Sequence, residues 1–290
     1  MTEFAQQVAA GFVNGCIYAM LALALVMIYR ATNHVNFAQG EMAMFSTYIA
    51  WTLIGAGLPY WVAALAAIAF GFVAGALVER VALRPLHDAP LLAIVTVFVA
   101  LMIVIQSTAG LVFGHESHSF QSPFDSWGRV GGGLLSGHAI GTVAVTLAVL
   151  LSMSAFFRFT RLGLAMRAAA LNPLSSSLSG VNVSRVLMIG WGVAGAIGAV
   201  AGVLAAPVVF LSPHMMSGIM IYGFAAAVVG GVDSPPGAIL GGLVLGIGEN
   251  LLGAYVTGNE LKLTIALGLM FAVLVVRPQG LLGGKAIQRV

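Results

Sequence analysis

Apolar residues run along this chain in long, nearly unbroken blocks at 8–28, 42–56, 61–78, 91–113, 138–157, 186–210, 219–232, 237–256 and 262–276. A hydrocarbon core about 30 Å thick takes roughly 20 residues of helix. The pattern therefore predicts an all-α polytopic membrane protein with about nine transmembrane or half-membrane helices. The second and seventh blocks fall short, ending before Gly57 and Asp233; a 14-residue helix rises only about 21 Å. These two read as half-helices or tilted arms buried by neighbours, since exposed backbone is not tolerated at membrane depth. The first block is preceded by Glu3 and no basic residue, and is longer than a signal-peptide core, so it reads as a retained span.

Charge placement gives the expected orientation. With the N-terminus outside, the inner loops hold Arg30, then Arg80 and Arg84, then Arg158, Arg161, Arg167 and Arg185, then Arg277, Lys285 and Arg289. Those are ten of the twelve basic residues; Arg129 and Lys262 fall outside, so positive charge and an odd span count agree on a cytoplasmic C-terminus.

Composition excludes a soluble protein. Hydrophobic residues make up 60% of the 290, charged residues 7%, and mean hydropathy is +1.04, against roughly 25% charged in an average soluble domain. One integral membrane unit, 1–290, is expected. The net charge of +3 is explained by loop arginines acting as topology signals, so no nucleic-acid partner is expected. The single cysteine, Cys16, lies inside the first block and reads as core packing.

Thirty-seven glycines include pairs at helical spacing: Gly11 with Gly15, Gly198 with Gly202, Gly237 with Gly241, Gly242 with Gly246. Such small-residue faces let helix backbones approach closely in lipid. They serve either packing within the chain or contact with a second subunit. Gly71, Gly75 and Glu79 resemble Gly242, Gly246 and Glu249, as an internal repeat would.

Enzyme motifs fail on inspection. Gly280, Gly284 and Lys285 imitate a phosphate loop with one residue too few between the glycines and Ala286 in place of the hydroxyl, so the chain itself is expected to bind no ATP. His115, Glu116 and His118 are spaced wrongly for the helical zinc motif, and a solvated outer loop accounts for them. No catalytic constellation and no bound cofactor or metal is expected.

The inner loop at 158–185, RFTRLGLAMRAAALNPLSSSLSGVNVSR, combines four arginines with two short helical stretches. The first ends at Asn172-Pro173, because the residue before proline leaves the helical region, and the second ends at Gly180. The loop is either a rigid cytoplasmic knob for a soluble partner or a basic segment lying on membrane lipid.

Gly163-Leu-Ala-Met-Arg167-Ala, Asn172-Pro173 and Gly180-Val-Asn182 resemble the coupling loop of ABC importer permeases of the branched-chain amino acid class. NGCIYAMLALALVMIYRATNHVNFAQGEM (Asn14 to Met42), ERVALRPLH (Glu79 to His87), AAAVVGGVDSPPGAILGGLVLGIGEN (Ala225 to Asn250) and VVRPQGLLG (Val275 to Gly283) resemble the LivH-type subunit in the same order. The resemblance implies a BtuC-like (type II) permease fold in the bacterial inner membrane, forming half of a translocation pathway. It also implies a LivM-type permease partner, two cytoplasmic ATP-binding subunits of LivG and LivF type carrying ATP and Mg, and a periplasmic substrate-binding protein. The coupling loop then comprises Arg161, Gly163, Arg167, Asn172, Pro173, Gly180 and Asn182. Two departures stand out. Leu174 and three serines follow Asn-Pro where the family has an acidic residue, and Asp233 occupies a turn that is usually uncharged.

Polar groups inside apolar helices are costly unless they face water or a partner. Asn14, Tyr18, Asn36, Gln39, Glu41 and Glu249 are therefore the candidates for the pathway, with hydrogen bonding between helices as the other reading. The functional alternative is a self-sufficient secondary transporter using Glu249 as a proton carrier. The sequence does not separate branched-chain amino acids from urea, amides or other small acids as the substrate.

Overall fold

Each apolar block becomes one helix. The structure, a computed structural model, describes residues 2–32, 34–86, 89–130 and 135–284; His87, Lys285 and Arg289, named above, lie outside the described residues. Helix α1 covers Thr2–Thr32, α2 Gln39–Gly55, α3 Tyr60–Leu77, α4 Leu91–Phe113 and α5 Gly137–Phe159. Two short helices follow, α6 (Arg161–Leu171) and α7 (Pro173–Leu178), then α8 (Val183–Val209), α9 (Met215–Gly230), α10 (Pro235–Leu252) and α11 (Lys262–Val276). Among the described residues, six helices are long and apolar enough to cross a membrane: α1, α3, α4, α5, α8 and α10. The short second and seventh blocks are α2, of 17 residues, and α9, of 16, and α11 with 15 is a third short helix.

Two helices run on past their α-helical ends. A π turn, Val78–Leu83, and a 3-10 turn, Arg84–Leu86, follow α3; a π turn, Gly253–Thr257, follows α10. Helix α10 starts as its sequence dictates: Ser234 caps it by accepting the Gly237 N–H at 3.1 Å, with Pro235 and Pro236 in the first turn.

The chain clusters into two compact units, the first comprising Met1–Val26, Pro123–Thr146 and Ile219–Val290, the second Met27–Ser122 and Leu147–Gly218. In the second, α3 lies against α8 through glycines. A Cβ placed on Gly75 would come within 2.2 Å of the Trp191 carbonyl oxygen, and one on Gly195 within 2.1 Å of that of Gly71. Backbone meets backbone there, which is how helices gain contact where lipid supplies no hydrophobic drive. In the first unit, α10 is held on two sides. Gly242 and Gly246 press on α1 at Ala19 and Gly15, while Gly241 and Gly237 press on α9 at Ala226 and Gly230. The glycine faces thus serve packing within the chain. Each unit holds one glycine-faced helix that carries a buried glutamate at or beside a π turn, Glu79 in one and Glu249 in the other.

Three local details refine the sequence reading. Cys16 is buried and unpaired. His118 does not sit free in a loop: its ring stacks on Trp51 at 4.4 Å and its backbone pairs with Leu211. Asp233 accepts the Gly284 N–H at 3.0 Å. The same terminal segment donates from Leu281 and Leu282 to the Val229 and Gly230 carbonyls, satisfying acceptors at the end of α9.

Candidate functional site

Three groups among the described residues hold the polar side chains singled out by sequence, one in the first unit and two in the second. In the first unit Glu249 sits on α10, 1% exposed. Its Oε1 accepts the Tyr18 hydroxyl at 2.9 Å, and its Oε2, also buried, has no hydrogen-bond partner. The Tyr18 ring stacks on Tyr222 with centroids 4.8 Å apart and planes 11° apart, so two phenols flank one carboxylate. The neighbouring Asn250 accepts from Lys262 Nζ at 2.9 Å and donates to the Gln7 carbonyl at 2.7 Å, tying α10 to α11 and α1. Asn14 lies one helical turn before Tyr18, half-buried, its side chain without a hydrogen bond among the described residues.

In the second unit Asn36 and Gln39 are fully buried. Asn36 Oδ1 accepts the Ala38 N–H at 3.0 Å, and Asn36 Nδ2 donates to Gln39 Oε1 at 3.2 Å. Gln39 Nε2 donates in turn to the Ala194 carbonyl of α8 at 2.9 Å. Gly198 is what admits this side chain, since a Cβ there would stand 2.5 Å from Gln39 Nε2. Glu41, 4% exposed, lies in the first turn of α2, and its Oε2 is likewise unpartnered.

The third group is the 158–185 loop. Thr160 caps α6 by accepting the Gly163 N–H at 3.0 Å. Gly163 is needed because a Cβ would fall 2.4 Å from the Phe156 carbonyl oxygen. Asn172 ends α6 by donating its N–H to the Ala168 carbonyl, and starts α7 by accepting the Ser175 N–H, with Pro173 as the first helical residue. Gly180 takes φ +85°, a left-handed value that suits glycine, and Asn182 caps α8 through the Arg185 N–H. Arg161 and Arg167 are exposed. So are Leu164, Leu171, Leu174 and Leu178, at 60%, 86%, 71% and 82%.

The family described as "Branched-chain amino acid transport system / permease component" matches residues 7–274. The chain belongs to that family. It is 33% identical to the high-affinity branched-chain amino acid transport system permease protein LivH of Escherichia coli (strain K12), covering 99% of this chain and 98% of the relative. It is 31% identical, over the same shares, to the corresponding permease protein BraD of Pseudomonas aeruginosa. A solved structure, PsaBC from Streptococcus pneumoniae in complex with Fab, aligns over 93% of this chain and 91% of its own with a TM-score of 0.50 and 14% identity, a likeness of fold. The protein is thus a multi-pass, all-α membrane permease, and its relatives are transport components.

Within this permease, the residues singled out by sequence separate by surroundings. Tyr18 and Glu249 are brought into contact, with Tyr222 beside them; Tyr222 carried no sequence signal beyond being a tyrosine in an apolar block. Asn36 and Gln39 are hydrogen-bonded to each other and to a helix carbonyl. In the loop, Gly163, Asn172, Pro173, Gly180 and Asn182 build the turns and caps, and the outward surface includes Arg161, Arg167, Leu162, Leu164, Leu171, Leu174 and Leu178. Leu174 was already marked by sequence, standing where the family has an acidic residue; the other leucines were passed over because they continue an apolar helical pattern, although they lie outside any span.

Proposed function

We propose that this chain is the permease subunit of an ATP-driven ABC importer for branched-chain amino acids, with a BtuC-like fold of nine transmembrane or half-membrane helices, and that it forms half of the pathway. In this reading it lies in the bacterial inner membrane with its N-terminus outside and its C-terminus cytoplasmic. It pairs with a LivM-type permease, two LivG- and LivF-type subunits that bind ATP and Mg, and a periplasmic binding protein. The observation that carries the reading is the α6–α7 knob. Exposed leucines together with Arg161 and Arg167 form an apolar and basic surface on a segment fixed by caps at every joint, and such a surface suits a soluble protein partner better than water. The absence of an acidic residue after Asn172-Pro173 fits docking by apolar contact.

The chain's own residues divide the work. ATP-driven movement of the partner subunits is received by α6 and α7 and passed to α8, against which Met166 packs at Gly190. Asn14, Tyr18, Glu41 and Glu249 serve the pathway, while Asn36 and Gln39 hold α2 to α8. Mild detergent extraction of the protein from its native membrane, followed by mass spectrometry, tests the assembly. A second permease and two ATP-binding subunits in stoichiometric amount are expected; a chain recovered alone with transport activity overturns the reading in favour of a secondary transporter using Glu249.

A further inference from the structure

We infer that Glu249, with the Tyr18–Tyr222 pair, receives the α-ammonium group of a zwitterionic amino acid in transit, so that the permease itself selects for a free amino group. The inference rests on the importer reading and names the chemistry of one point in its pathway.

An ionisable side chain deep in an apolar helix requires a partner. Glu249 has half of one: Tyr18 supplies a donor to Oε1, while Oε2 is buried without any. The lysine of the same unit, Lys262, hydrogen-bonds Asn250 through Nζ and reaches Glu249 only through its charge, and the Tyr222 phenol also lies close enough to act on the carboxylate, so neither places a charged N–H on Oε2. Nor does the backbone let the carboxylate withdraw to water, because Gly242 and Gly246 lock α10 against α1, with Cβ positions 2.5 and 2.4 Å from the Ala19 and Gly15 nitrogens. What is missing at Oε2 is a positively charged N–H donor. Two stacked aromatic rings beside a carboxylate suit the same group, since an ammonium is drawn to the face of a tyrosine ring as well as to an anion. A carboxylate-only solute is repelled at this point, and a sugar offers hydroxyls without charge.

An approach to the cluster is written on α1. Gln6, Ala10, Asn14 and Tyr18 are spaced by four and share a helix face. Along it exposure falls from exposed at Gln6 and Ala10, through half-buried at Asn14, to buried at Tyr18. The Asn14 side chain, without a hydrogen bond among the described residues, can serve a solute passing toward Glu249.

The test uses the assembled complex in two steps. Leucine uptake with the binding protein present is measured first. If the wild-type complex takes up none, the importer reading fails and this inference with it. Equilibrium binding of radiolabelled leucine to the same complex without binding protein is then displaced by 3-methylbutylamine, which keeps the ammonium, and by 4-methylpentanoate, which keeps the carboxylate. The amine is expected to displace leucine at least tenfold better than the acid. Glu249→Gln is expected to weaken leucine binding at least tenfold and erase that preference, with Glu249→Asp restoring part of both. Unfolding temperature and subunit pairing check that the variants are assembled, and should either fail to assemble, the wild-type displacement order decides. Absence of saturable leucine binding, an acid that displaces as well as the amine, or a Gln variant binding as wild type overturns the inference. That last result marks Glu249 as a neutral carboxyl tying α10 to α1.

Discussion

Of the buried carboxylates, Glu41 and Glu249 are alike in sequence and unlike in setting. Glu41 stands in the first turn of α2, where the free N–H groups and the positive end of the helix dipole offset its charge. Glu249 stands near the end of α10, away from any such terminus, and depends on what comes to its side chain. The amides Asn36 and Gln39 show the opposite outcome for a buried polar group, since each finds its partners inside the protein. Gln39→Leu therefore removes the tie to the Ala194 carbonyl of α8 and leaves the buried Asn36 amide without its Gln39 acceptor, and is expected to lower stability by about 1–3 kcal/mol. Unfolding of the purified variant in detergent measures it; an unchanged unfolding temperature contradicts the locking role. Gly75→Ala forces a methyl into the Trp191 backbone, 2.2 Å away. It is expected to cost about 1–3 kcal/mol through displacement of α3 from α8, whereas Gly268→Ala, where nothing lies within 4 Å, is expected to change little.

At the scale of elements, the α6–α7 loop owes its shape to side chains that never face a partner. Asn172 alone closes one helix and opens the next, so Asn172→Ala is expected to cost about 1 kcal/mol of cap energy and to loosen the knob without removing its surface. The surface is a separate matter. Replacing Leu171, Leu174 and Leu178 together by Ser keeps the caps and is expected to reduce recovery of the ATP-binding subunits at least tenfold, with Arg167→Glu giving a smaller loss by reversing a charge on the same face. Pull-down of the ATP-binding subunits on the assembled permease pair measures both; undiminished recovery returns the loop to a role in topology alone. This loop was legible in the sequence in its turns, because Asn-Pro and glycine act through local backbone geometry. Its contacting leucines other than Leu174 were not, because exposure depends on packing against α5 and α8. Tyr222 was missed for the same reason: its stack on Tyr18 joins residues from the two ends of the chain, a pairing that no local pattern encodes.

For the whole molecule, hydrophobic block length foretold an all-α membrane protein, with an apolar helix at each block among the described residues, and the short α2 and α9 were visible as short blocks. The two π turns after α3 and α10 were not, since a π turn inserts one residue without breaking the apolar run. Topology is open to direct labelling. With Cys16 replaced by Ser, a cysteine at Ser126, exposed before α5, is expected to react with impermeant maleimide on intact cells, and one at Ser177 only after lysis. Ser177 is preferred to Ser176, which is buried. Reversed reactivity inverts the proposed orientation. The central claim, that this chain is driven by ATP through partners, is tested most directly by leucine uptake into proteoliposomes holding the chain alone or the complete complex with its binding protein. Uptake against a gradient by the complex alone, dependent on internal ATP and insensitive to an uncoupler, is predicted; uptake by the isolated chain that collapses with the proton gradient contradicts it.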